Sequence, residues 1–239
     1  MSVPAGAKIL PFYLVVDVSY SMLGPKLDSA NEVMPAVRDA LAKNPILADK
    51  VRFSVIDFGD EARVRLPLCD PLTVGTLPTM NVRGMTSYAS AFWELRTAIE
   101  TDVKQLKADG LQVHRPAVFF LSDGLPTDHD DVWRQAFADL TQTFREWPNV
   151  IPCGVDQADP AVMQELIHPA TGPKKMQMYM MERGADAGQA INAVTEILIS
   201  SVIASGASLA RGEKGIVLPD QAQLPPGIVT YSAEDDDFL

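Results

Sequence analysis

Asp17, Ser19 and Ser21 stand in the stretch YLVVDVSYSML, where an apolar run ends in one carboxylate and two hydroxyls at alternate positions. Four chemistries use such a triplet: a nucleophilic serine, a phosphate cradle, a hard-oxygen metal site, or a turn that is merely polar. Two more polar features lie far along the chain. RGMTSYAS carries Thr86 behind Gly84, and FFLSDGLPTD carries Asp123 directly before Gly124. A serine nucleophile needs a general base held beside it. The three histidines are poor candidates: His114 precedes a strand pattern at the opposite end, His129 lies in a helix's first turn, and His168 precedes a proline. No glycine-rich P-loop or G-x-G-x-x-G is present for phosphates. An aspartate-based phosphotransferase would want a second aspartate where Ser19 stands. Two carboxylates and several hydroxyls make a hard-oxygen set, suited to Mg²⁺, Mn²⁺ or Ca²⁺ rather than zinc or copper. An ion held by few charged ligands keeps an open position and stays electrophilic enough to take a carboxylate from another molecule. Plainer roles compete: a polar turn for Asp17, an N-cap for Thr86, an Asx turn for Asp123. Thr127 and Asp128 read as N-caps, and Asp57 as a residue with a loop role.

These residues need rigid elements behind them. ILPFYLVVD, VRFSVIDFG, RPAVFFLSDG and NVIPCGVD are short apolar runs that read as buried strands. EARVRLPLCD alternates polar and apolar, as a half-buried edge strand joined to its neighbour through Gly59-Asp60 does. KMQMYMM reads as a final edge strand. Between them run helical patterns. Pro35 either kinks the first helix or opens a second. Tyr88, Phe92, Leu95, Ile99, Val103 and Leu106 recur every three or four residues as one buried stripe. Acidic residues crowd the first turn of the helix after Asp128, where they complement its dipole. Ile191, Val194, Leu198 and Val202 mark the closing helix. The expected fold is an α/β doubly wound, mostly parallel, six-stranded sheet with helices on both faces and one antiparallel edge strand. In such a sheet, ligands bind at the carboxyl ends of strands near the point where strand order reverses. Residues 1–205 form the expected domain. Residues 206–239, without sustained periodicity, form an extended tail with an acidic end.

The bulk numbers narrow the class. The chain has 239 residues, 47% of them hydrophobic, and a net charge of −11, which disfavours a nucleic-acid surface. The apolar run before Asp17 is too short for a membrane span and lacks a cleavage-site pattern. Cys69 and Cys153 stand singly, which predicts two reduced, partly buried thiols in a cytoplasmic protein.

Taken together, DVSYS, GMTS and LSDGLPTD resemble the metal-ion-dependent adhesion site of a von Willebrand factor type A (VWA) domain, over roughly residues 9 to 204. The wording of LSDGLPTD, VIDFGDEARV and the Pro/Gly-containing tail is similar to the bacterial TerY-like branch found among tellurium-resistance and stress genes. The resemblance implies that Ser19 and Ser21 bind a divalent ion directly, most readily Mg²⁺ and otherwise Mn²⁺ or Ca²⁺. It implies that Asp17 and Thr86 bind directly or through water, and Asp123 through water. Tyr20 stands where a small residue is usual and Met85 where glycine is usual. With Ser87 they are expected to rim the site toward a partner. The implied function is non-enzymatic capture of a partner's Asp or Glu. Tellurium-resistance proteins or a kinase and phosphatase pair are the implied partners. An adaptor for an AAA+ chaperone-like or metal-chelatase assembly and a metal-dependent phosphohydrolase are the alternatives.

Overall fold

Nine of the ten residues of strand β1 (Lys8–Asp17) are buried, including the aspartate that ends it. A strand can be apolar on both faces only where both faces are covered, and that requirement shapes the molecule. The computed structural model describes residues 6–213 and 215–235. Its other strands are β2 (Val51–Phe58), β3 (Ala62–Cys69), β4 (Gln112–Val113), β5 (Ala117–Ser122), β6 (Asn149–Gly154), β7 (Gln177–Met181) and β8 (Ile228–Ser232). The helices are α1 (Pro25–Ala42), α2 (Pro45–Ala48), α3 (Tyr88–Ala108), α4 (Asp130–Thr141), α5 (Pro160–Glu165) and α6 (Ala187–Ala210).

The strands lie in the order β3-β2-β1-β5-β6-β7-β8, with β4 beside the start of β1. The strands from β2 to β7 along this order are parallel to their neighbours, while β3 and β8 pair antiparallel at the two edges. Helices α1 and α6 pack together on one face, and α3 and α4 on the other. The chain leaves β1 toward one edge and returns from β5 toward the other, so the carboxyl ends of β1 and β5 flank the reversal point.

Three sequence expectations need correcting. The sheet has eight strands rather than six, with antiparallel pairing at both edges rather than one. The strand at Gln177–Met181 is therefore not the last, because Ile228–Ser232 covers it. No tight turn joins these two strands, so no local hairpin signal exists, and β4 is only two residues long. Of the two readings of Pro35, the single helix holds: α1 continues through it, with Leu27, Ala30, Val33, Val37 and Leu41 buried on both sides of the ring.

Beyond residue 205, α6 continues to Ala210, Val217 donates its N–H to Ser205 Oγ at 2.9 Å, and Ile216 and Leu218 pack on the core. The last residues of the acidic terminus, 236–239, lie outside the described residues. Among the described residues, α6 is the one helix long and apolar enough to cross a membrane, with mean hydropathy 1.6, and most of it is buried. Cys153 is buried and Cys69 half-buried, on β6 and the far edge strand β3, and both are free thiols.

Candidate metal centre

Asp17 ends β1 at the sheet's reversal point with no exposure to solvent. Its Oδ1 accepts the Ser19 N–H at 2.8 Å, an Asx turn that folds the chain back over the strand end. Its Oδ2 accepts the Ser122 hydroxyl at 2.7 Å. A short 3₁₀ turn over Tyr20–Met22 and Gly24, at φ +89°, then lead into Pro25 at the start of α1. This path brings the Ser19 and Ser21 hydroxyls within 2.9 Å of each other, and Ser21 Oγ donates to Asp123 Oδ1 at 2.7 Å. Oxygens from the first and third loops, 102 residues apart in sequence, therefore touch.

The second loop is held by backbone bonds on both sides. Arg83 N–H donates to Val18 O at 2.7 Å, Tyr20 N–H to Gly84 O at 3.2 Å, and Ser87 N–H to Gly59 O at 3.0 Å. Asp57, fully buried at the end of β2, forms an ion pair with Arg83, which also donates to the carbonyl of Glu61. Asp60 accepts the Met85 N–H at 2.8 Å. Thr127, from the third loop, donates both its N–H and its hydroxyl to Thr86 O.

Thr86 itself is buried, and among the described residues its hydroxyl has no hydrogen-bond partner. The expected competition from capping does not arise, because Ser87 is the N-cap of α3 and accepts the Ser90 N–H at 3.1 Å. Asp128 caps too, but the helix is α3: it accepts Ala89 N–H and the Ser87 hydroxyl, both at 2.9 Å. Ser87, expected on the rim, thus has its hydroxyl engaged inward. His129, not Thr127 or Asp128, occupies the N-cap position of α4.

Gly84 has φ +66°, and a Cβ there would overlap the Asp60 carboxylate and lie 2.8 Å from its backbone nitrogen. Gly84→Ala is therefore expected to push the second loop off its seat and weaken divalent-cation binding at least tenfold, at a stability cost of about 2 kcal/mol. Mn²⁺ titration alongside a thermal melt checks this, and wild-type affinity in the variant would contradict it.

The electrostatics follow from burial. Desolvation pushes the Asp17 carboxyl up to about 6, against the opposing pull of its hydrogen bonds from Ser19 and Ser122, with nearby Asp123 adding to the rise. Among the described residues no cationic side chain touches Asp17. A buried carboxylate without a cation is costly, and hydroxyls of Ser19 and Ser21 lie beside it, so this oxygen set fits a divalent ion. Asp123 differs: Lys26 Nζ lies 2.5 Å from its Oδ2 and 2.6 Å from Asp156 Oδ2. Burial would lower the Lys26 ammonium, but the bonds to Asp123 and Asp156 outweigh it and hold it above the usual lysine range.

The structure brings Ser19, Ser21 and Asp123 into direct contact, and its backbone bonds tie the loop of Thr86 to the first and third loops. Asp17 meets this cluster through Ser19. Tyr20 and Met85 are 66% and 54% exposed, and Leu23 and Leu125, from the first and third loops, are 69% and 54% exposed. Sequence reasoning did not single out Ser122, Lys26, Arg83, Asp60 or Asp156. A serine closing an otherwise apolar strand was the available signal for Ser122. No local pattern announces that Lys26 reaches Asp123 across 97 residues.

The family model of the von Willebrand factor type A domain matches residues 12–125, a span running from within β1 into the third loop. No curated relative matches the sequence. Among solved structures, the chain is similar to the SpRpn10 VWA domain, with 10% identity and a TM-score of 0.53 over 78% of this chain and 95% of that one. It is also similar to the pilus adhesin SpaC from Lactobacillus rhamnosus GG, with 13% identity and a TM-score of 0.61 over 82% of this chain and 31% of that one. A third likeness is to proximal thread matrix protein 1 of the mussel byssus, whose structure has a zinc-occupied MIDAS motif. There the identity is 16% and the TM-score 0.52, over 83% of this chain and 46% of that one. The chain thus spans less than half the length of the adhesin and of the byssus protein, and at these identities the likeness is one of fold.

Proposed function

We propose, on the premise that this chain carries a von Willebrand factor type A domain, that it is a metal-dependent protein-binding module and not an enzyme. One observation carries the reading. Hydroxyls and carboxylates from distant loops converge at the strand reversal point, beside a buried aspartate that no cationic side chain among the described residues touches. Asp17, Ser19, Ser21 and Thr86 would hold the ion, with Asp123 behind Ser21. Mg²⁺ is the ion of choice for so few charged oxygens, with Mn²⁺ or Ca²⁺ as substitutes. The zinc-occupied motif of the byssus protein lends support to a divalent cation, though not to zinc itself. When bound, the ion supplies an open coordination position for a partner's glutamate or aspartate.

The chain's own residues set the rest. Asp17 orients the first loop through the Ser19 N–H, Ser122 pins Asp17, and Asp57 with Arg83 seats the second loop. Tyr20, Leu23, Met85 and Leu125 offer exposed apolar surface on the same three loops, the composition expected of a protein contact around a polar centre. Resemblance to the TerY-like branch supports a finer reading: a cytoplasmic role in tellurium resistance or stress response. Its partners would be tellurium-resistance proteins or a kinase and phosphatase pair.

A pull-down with a partner encoded beside the gene, run with Mg²⁺ and with EDTA, tests the module. Capture should depend on the ion and fall at least tenfold in Thr86→Ala. Capture that EDTA leaves unchanged would sink the reading, as would phosphoester turnover that disappears in Asp17→Ala.

A further inference from the structure

Lys26 lies in the first turn of α1 with its side chain mostly buried, and its ammonium is clasped by Asp123 at 2.5 Å and Asp156 at 2.6 Å. The two oxygens of Asp123 face different ways. Oδ1 accepts from Ser21, within the oxygen cluster, while Oδ2 is taken by the ammonium. We infer that Lys26 is a resident cation of the site, which draws on Asp123 in competition with a bound metal ion and so keeps metal affinity low. This inference rests on the metal-site reading above.

The physical case is one of charge. Without Lys26, a divalent ion would meet two negative groups, Asp17 and Asp123. With it, the charge of Asp123 is already matched, and the ion also feels the ammonium's repulsion at short range in a partly buried site. The ammonium cannot readily swing away. Asp156, in the loop after β6, holds it from the other side, and that loop is itself tied to the third loop through the Gln157 N–H to Asp123 O at 3.0 Å. An ion so weakly held is retained chiefly when a partner's carboxylate completes its coordination. Lys26 therefore couples metal occupancy to partner binding, so that neither is held firmly without the other.

Titration calorimetry with Mn²⁺ on the full chain tests this, comparing wild type, Lys26→Met and Asp17→Asn. Lys26→Met keeps the stem's volume and removes the charge, and it should bind Mn²⁺ at least tenfold more tightly than wild type. Asp17→Asn should bind none. Lys26→Gln, which can still hydrogen-bond a carboxylate, should show the same tightening if the methionine variant folds poorly. Lys26→Arg, which keeps the charge, should stay within threefold of wild type. Equal or weaker binding in both neutral variants would overturn the inference and leave the metal site standing. Absence of binding in wild type and neutral variants alike would overturn both.

Discussion

Asp17→Asn is expected to make the metal-free protein more stable at neutral pH while abolishing divalent-cation binding. Burial raises the Asp17 carboxyl from 3.8 to about 6 in the folded chain. A carboxyl whose folded value lies above its unfolded one favours the folded state when protonated. Its contribution is full below pH 3.8 and is lost as pH rises through about 6. At pH 7.5 the ionised group therefore costs the metal-free fold about 3 kcal/mol, since each tenfold change in proton affinity is worth about 1.4 kcal/mol. Asparagine keeps an acceptor for the Ser19 N–H and carries no charge to desolvate, although Ser122 loses its carboxylate. The net gain should be about 1–3 kcal/mol, or several degrees in Tm. Melting in EDTA at pH 5 and pH 7.5 checks this: the variant's advantage should be larger at the higher pH. In the wild type, added Mn²⁺ should restore the deficit by binding the folded state alone, and should do nothing for the variant. A variant less stable than wild type at pH 7.5 would mean that Asp17 is a structural anchor and not a ligand waiting for its cation.

The second large effect concerns no ligand. Arg83→Ala is expected to cost about 2–3 kcal/mol, because it removes the nearer of the two cations that face the buried carboxylate of Asp57. Arg65, 3.6 Å from Asp57 Oδ2 and partly exposed, is the ion-pair partner left to it. The same substitution removes the bond to Glu61 O that ties the β2–β3 turn to the second loop. Cation affinity should fall along with stability, since Thr86 rides on that loop. Urea unfolding measures the first effect, and the double variant Asp57→Ala/Arg83→Ala apportions it. Two residues acting as a pair should cost clearly less together than the sum of the single substitutions. Additive losses would show that Arg83 acts through its bonds to the carbonyls of Asp57 and Glu61 and not through the Asp57 carboxylate.

How much of this was legible in the sequence depends on how local each feature is. The buried central strands were readable because a short run apolar on both faces has few other fates, and the stripe from Tyr88 to Val103 because helical spacing is local. The edge strand Ile228–Ser232 was not, since what makes it a strand is β7, far back along the chain. Asp17, Ser19, Ser21, Thr86 and Asp123 could be named because each stands where an apolar strand or loop turns polar. Which hydroxyl would cap α3 could not be read. Thr86 and Ser87 are adjacent, and the choice is made by Asp128 reaching across from the third loop to Ser87 and Ala89. Lys26 and Arg83 escaped for the same reason. A lysine shortly after the serine triplet, or an arginine just before Gly84, looks like surface until the fold supplies a carboxylate to meet it.

If these loops hold a divalent ion, a crystal soaked in Mn²⁺ will show it. One anomalous-scattering peak is expected, bounded by the oxygens of Ser19, Ser21 and Thr86, with Asp17 and Asp123 within reach of its water shell, and no such peak in Asp17→Asn. Density for Mn²⁺ elsewhere on the molecule, or no peak while Lys26 stays bound to Asp123, would contradict it.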